Sequence, residues 1–63
     1  MLICTNTGRV LGRGDSLRLL TPNGFTEGVL DTITLAGRIR VRGAADVHEI
    51  AFEDVEAVWR IAG

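Results

Sequence analysis

The sequence contains no lysine and no tyrosine, and cysteine, proline, histidine and tryptophan occur once each. A single cysteine, Cys4, excludes a disulfide within the chain. Cys4 and His48 are the only soft metal ligands, whereas a structural zinc site normally takes four. The sequence around His48 contains no motif that would supply a catalytic nucleophile. Gly12 and Gly14 have the spacing of two glycines of a dinucleotide-binding motif, but the rest of that motif is absent. We therefore expect a protein that is not an enzyme and that has no metal and no cofactor.

Long apolar runs are absent as well. No stretch approaches the ~20 residues of a membrane-spanning helix. The N-terminus lacks the basic segment and apolar run that mark a secretory signal. These absences predict a cytoplasmic protein with a reduced thiol and no membrane partner.

The residues that are present favour β-strands. Val, Ile and Thr make up 17 of the 63 residues, and eight glycines are spaced for short strands and turns. Thr-Pro-Asn-Gly at 21–24 predicts a hairpin turn, because Pro22 presets φ and Asn23 or Gly24 tolerates a positive φ. Gly28, inside the predicted strand 25–35, indicates a bulge or a sharp bend. The pattern predicts an all-β fold of five or six short antiparallel strands, which a small closed barrel would accommodate without open edges.

The length allows one small domain, 1–63, with an N-terminal strand or hairpin and a loop over 1–15 and the barrel over 16–63. A chain of this size buries only about 60% of its unfolded surface. Its stability is therefore marginal, and we expect it to form a homo-oligomer.

Residues 46–60 admit two interpretations. Apolar residues recur there at helical spacing: Val47, Ile50, Ala51, Val55 and Val58. Phe52 and Trp59 fall poorly on that stripe, however, and the C-terminal end lacks a cap. The pattern favours a strand over 47–52, a short 3₁₀ turn over 53–56 and a closing strand over 57–61.

The order of these elements resembles bacterial Sm-like and SH3-like barrels, including the C-terminal barrel of the ribosome-maturation factor family. The resemblance covers about three quarters of the chain. It is carried by the turn at 21–24, Gly28-Val29-Leu30, the arginine-rich strand 38–42, Phe52-Glu53-Asp54-Val55 and Val58-Trp59-Arg60-Ile61. Val41-Arg42-Gly43 is similar to the Arg-Gly step of the second Sm motif. The resemblance implies a small barrel that binds RNA as a homo-oligomer.

Arg38, Arg40 and Arg42 are the sharpest candidate site. Alternation along one strand places their side chains on one face, about 7 Å apart. Such a row suits contact with phosphates, and Phe25 beside the hairpin turn suits stacking on a base. The alternative is a solvated face neutralised by Glu49 or Glu53 on the neighbouring strand.

The distribution of charge along the chain fits a subunit contact as well as it fits an RNA surface. Residues 1–45 carry six arginines and three acids, and residues 46–63 carry one arginine and five acids. Opposite charges of this kind fit complementary faces of two subunits. The residues predicted for that interface are Leu20 and Leu30 on outward faces, Glu49 and Trp59.

Two functions remain open from the sequence. The first is a non-catalytic, Sm-like RNA-binding module that acts as a homo-oligomer. The second is a protein-interaction or assembly module with an SH3-like barrel and no role in nucleic-acid binding.

Overall fold

The computed structural model describes residues 2–61, which form one antiparallel sheet of five strands in the order β4-β3-β2-β1-β5. The strands are β1 (Ser16–Thr21), β2 (Gly24–Ile33), β3 (Arg38–Arg42), β4 (Val47–Ala51) and β5 (Ala57–Arg60). A 3₁₀ turn, Phe52–Asp54, precedes β5. The predicted all-β class, the five antiparallel strands and the 3₁₀ turn are confirmed, and the helical interpretation of 46–60 is wrong.

The sheet does not close on itself. β4 and β5 are its two edges, and no strand pairing joins them within residues 2–61. The expectation of a closed barrel is therefore not met. Instead, the edge of β5 is covered by the segment that precedes β1.

This segment, residues 2–11, forms the N-terminal hairpin. Its two arms meet in a single bridge between Ile3 and Val10, and the Cys4 amide donates to the Arg9 carbonyl at 2.7 Å. The sequence predicted a strand or a hairpin within residues 1–15. A hairpin is present, but neither of its arms is a full strand. Cys4 and Leu11 turn inward and join the core.

Among residues 2–61, every buried apolar side chain of the core except those of Cys4 and Leu11 comes from the sheet. Alternation places these side chains on one face of their strands, which we call the core face. They are Leu17, Leu19, Leu30, Ile39, Val41 and Val58.

The hairpin turn joins β1 and β2 as its sequence predicts. Thr21 pairs with Gly24, and the Thr21 hydroxyl donates to the Gly24 carbonyl at 2.9 Å. Gly24 takes the positive φ, 110°, and Asn23 does not. This turn fixes the β1–β2 register for the whole length of β1.

The bulge in β2 lies three residues beyond the predicted position. The register with β3 shifts between Leu30 and Thr32, so that Asp31 is the extra residue. Gly28 has a different role: a Cβ there would lie 2.9 Å from the carbonyl oxygen of Arg42, so the glycine allows β2 and β3 to approach closely.

Leu30 corrects one of the predicted interface residues. It pairs with Val41, lies on the core face and is only 3% exposed. The prediction that Leu30 points outward is wrong, because the bulge follows it and does not precede it.

Candidate functional site

Three predicted arginines share the outer face of β3, the face opposite the core; we call Arg38, Arg40 and Arg42 the arginine row. Ile39 and Val41 between them are fully buried, which fixes the outward direction of the row. Antiparallel pairing with β4 places Glu49 directly opposite Arg40.

Glu49 forms ion pairs with two members of the row and offsets one of their two positive charges. Its carboxylate lies 3.6 Å from Nε of Arg38 and accepts a hydrogen bond from Nη2 of Arg40 at 3.1 Å. Glu53, the other predicted neutralising acid, lies in the 3₁₀ turn and makes no ion pair within the described part of the chain. Arg42 lies opposite Val29 and Val47, and it has no ion-pair partner among residues 2–61.

Most of the remaining arginines are also compensated. The other ion pairs join Arg13 to Asp31 at 3.9 Å, Arg18 to Glu27 at 2.7 Å and Arg60 to Asp15 at 3.7 Å. These pairs are partly or largely exposed, so each contributes little to stability. They nevertheless reduce the positive charge that the surface offers to a phosphate.

A second surface lies on the outer face of β5, β1 and β2; we call Arg18, Leu20, Phe25 and Trp59 the aromatic patch. The β1–β2 register places Leu20 opposite Phe25, and the β1–β5 register places Arg18 opposite Trp59. The Phe25 and Trp59 rings are 5.9 Å apart at an interplanar angle of 51°, a tilted arrangement typical of aromatic pairs. Phe25 is 63% exposed.

Arg18 holds the patch together. Its guanidinium carbon lies 5.6 Å from the centre of the Phe25 ring, within cation–π range. The same guanidinium binds Glu27, with Nε donating to Oε2 at 2.8 Å. Glu27 thus fixes the arginine over the ring. A shallow cleft lined by Arg18, Phe25, Trp59, Arg60 and Ile61 opens beside the pair.

The structure groups the predicted site residues differently from the sequence. Phe25, predicted to act with the arginine row, lies instead with Leu20 and Trp59, two of the predicted interface residues. Glu49, predicted for the interface, lies beside the arginine row. Arg18 is a site residue that the sequence analysis missed. The signal for it was present, because the turn at 21–24 places Arg18 opposite Glu27.

A cavity of about 620 Å³ lies between the β1–β2 turn and the region of β4 and the 3₁₀ turn. Its lining is mainly polar and includes Asn23, Arg38, His48, Glu53 and Asp54. His48 Nε2 lies 3.2 Å from the Asp46 carboxylate, and both side chains are largely exposed. Within residues 2–61, no group of three or more His, Cys, Asp or Glu side chains is arranged to hold a metal ion.

The described residues include no helix with the length and hydropathy required to cross a membrane. In comparisons with known proteins, no protein-family model, no curated protein and no solved structure matches this chain.

Proposed function

We propose that this protein is a non-catalytic protein-interaction module and that the aromatic patch is the surface that contacts its partner. The observation that carries the proposal is the Phe25–Trp59 pair, with Phe25 exposed and oriented by an arginine that is itself held by Glu27. Trp and Arg are enriched among the residues that dominate binding energy in protein interfaces. Rings already fixed by their neighbours lose little side-chain entropy on binding.

The chemistry of the patch favours an apolar protein surface as the partner. Leu20 and Trp59 are half-buried and Phe25 is exposed, so an apolar area is bordered on one side by the Arg18–Glu27 ion pair. A neutral polar border around an apolar centre is the usual organisation of a protein interface. Docking an apolar surface there would remove both rings from water.

The arginine row supports RNA binding less well. Glu49 offsets one of the two positive charges of Arg38 and Arg40, and the whole chain carries a net charge of −1. Because phosphate contacts supply most of the non-specific affinity for nucleic acid, a partly compensated row gives less of it. RNA binding through Arg42 and its neighbours is the alternative that the experiment below tests.

We also propose that the fold belongs to the Sm-like and SH3-like group. The strand order β4-β3-β2-β1-β5 and the 3₁₀ turn before the last strand support this assignment. The open sheet and the N-terminal hairpin are features of this chain that the assignment to this group does not explain.

The test uses two matched variants of the whole protein. Phe25→Ser removes the exposed ring of the patch, and Leu35→Ser removes an equally apolar, fully exposed side chain from the turn between β2 and β3. We expect proteins captured from a lysate by the wild type to be lost with Phe25→Ser and kept with Leu35→Ser. Equal capture by all three proteins would contradict the proposal.

A second measurement tests the RNA alternative. Binding to a random RNA pool is measured at two salt concentrations for the wild type and for a variant with Arg38, Arg40 and Arg42 changed to Gln. We expect weak binding that the variant does not change. Tight, salt-dependent binding that the variant abolishes would favour the RNA function.

A further inference from the structure

The two edge strands of the sheet differ in whether their outward backbone N–H and C=O groups have hydrogen-bond partners. On the edge of β5, the Thr5 amide and hydroxyl donate to the Val58 carbonyl at 2.7 and 2.6 Å. The Asn6 carboxamide accepts from the Arg60 amide and donates to the Arg60 carbonyl, both at 2.9 Å. The Asn6 side chain therefore takes the place of a neighbouring strand, and the edge of β5 is closed to another one.

The edge of β4 is open. The Gly43 amide donates to the Asp46 carbonyl, and the Phe52 amide donates to the Gly37 carbonyl. These two bonds lie at the two ends of the β3–β4 pairing and share its register. Hydrogen-bonded and non-hydrogen-bonded pairs alternate along antiparallel strands. The hydrogen-bonded pairs between the two ends are therefore Ile39 with Ile50 and Val41 with His48.

The alternate residues of β4 consequently direct their N–H and C=O groups away from β3. They are Val47, Glu49 and Ala51. The Ala51 carbonyl already accepts the first hydrogen bond of the 3₁₀ turn. No other group within residues 2–61 forms a hydrogen bond with the remaining outward backbone atoms of these residues. An unpaired edge of this kind is a template for a further strand.

We propose that β4 pairs antiparallel with β4 of a second copy of this chain, about a two-fold axis at Glu49. Because the edge of β5 is covered, β4 is the edge through which two copies can join their sheets. The contact is therefore the same on both copies, and it closes as a dimer rather than growing into a ring. Each strand contributes three N–H donors, those of Val47, Glu49 and Ala51, and two free carbonyl acceptors, those of Val47 and Glu49.

Side chains on the outer face fit this register. Val47, which is 52% exposed, lies opposite Ala51 of the second copy, giving an apolar pair on each side of the axis. The two Glu49 carboxylates face each other, but each is already bound by its own Arg38 and Arg40. Four guanidiniums around two carboxylates offset the repulsion between those carboxylates.

Molecular mass measured by sedimentation equilibrium tests the dimer. Ala51→Pro is the informative variant, because Ala51 has φ −66° and ψ 142°, angles that proline adopts, and its N–H points away from β3. Proline therefore removes an edge donor and leaves the monomer intact. Ala51→Val keeps the donor and is the matched control.

We expect the wild type and Ala51→Val to be dimers at high micromolar concentration and Ala51→Pro to be a monomer with an unchanged circular-dichroism spectrum. A monomeric wild type would overturn the proposal. So would an Ala51→Pro variant that stays dimeric. The Phe25→Ser variant should keep the dimer mass, so failure of the aromatic patch and failure of this contact are separate results.

A cysteine experiment tests the register without altering the backbone. Val47→Cys and Ala51→Cys chains are mixed and exposed to oxidised glutathione. Directly opposite residues in such a pair have Cα atoms about 5.5 Å apart, within disulfide range. Two copies of Val47 would be separated along the strands by about 14 Å. We expect the mixture to form a disulfide-linked dimer and each variant alone to form none; equal crosslinking of the separate variants would contradict the register.

Discussion

The arginine row and the aromatic patch lie on the same outer face of one sheet, yet their side chains meet different partners. Each surface is crossed by an ion pair between neighbouring strands. In the row, Glu49 lies beside Arg38 and Arg40 and offsets part of their charge. In the patch, Glu27 holds Arg18 over an exposed ring. The same type of cross-strand pair therefore lowers the charge of one surface and orders the other, and the difference lies in the aromatic residues next to it.

The largest expected effect concerns Gly28, where the strands that carry the two surfaces meet. Gly28→Ala places a Cβ 2.9 Å from the Arg42 carbonyl oxygen, and backbone atoms cannot move aside as a flexible side chain can. We expect the free energy of unfolding in urea to fall by about 2 kcal/mol or more. Gly12→Ala is the control, because its Cβ would meet only a side-chain atom at 3.5 Å. Equal stability of both variants would show that β2 and β3 are less closely apposed.

A smaller loss is expected at Gly24, which affects the patch alone. Gly24→Ala forces a side chain onto a φ of 110°, although nothing lies within 4 Å of the new Cβ. Strain without a clash should cost about 1 kcal/mol. The β1–β2 hairpin positions Phe25, so Trp59 fluorescence should change with this variant, and the arginine row should keep its geometry. A melting temperature equal to that of the wild type would contradict the turn assignment.

The smallest change in stability is expected at Glu49. Glu49→Gln removes two exposed ion pairs, which should cost less than about 1 kcal/mol. The variant also exposes the full charge of the row. If neutralisation by Glu49 limits RNA binding, the variant should bind the RNA pool more tightly. The slope of log K against log salt should also steepen by about 0.7 for each additional phosphate that the row binds. Unchanged binding would show that the row touches no phosphate in either state.

Particular residues show how far the sequence was predictive. Pro22 and Gly24 predicted the turn, and the turn set the register that brings Arg18 to Glu27 and Leu20 to Phe25. The strict alternation at 38–42 predicted which side of β3 faces the core. The prediction for Leu30 was wrong, because it placed the bulge at Gly28, whereas the register shifts at Asp31. Whether a strand glycine marks a bulge or a close approach depends on the backbone of the strand beside it.

By itself, the sequence determined the all-β class, the position of the hairpin and the outward direction of the arginines. These follow from φ preferences and from the two-residue period of a strand, which are local properties. Only the tertiary structure decided which edge of the sheet is covered. The bonds that cover β5 join Asn6 to a residue 54 positions away. Nothing in the residues around Asn6 indicates that partner, because two segments so far apart in the chain become neighbours only once the sheet has folded between them.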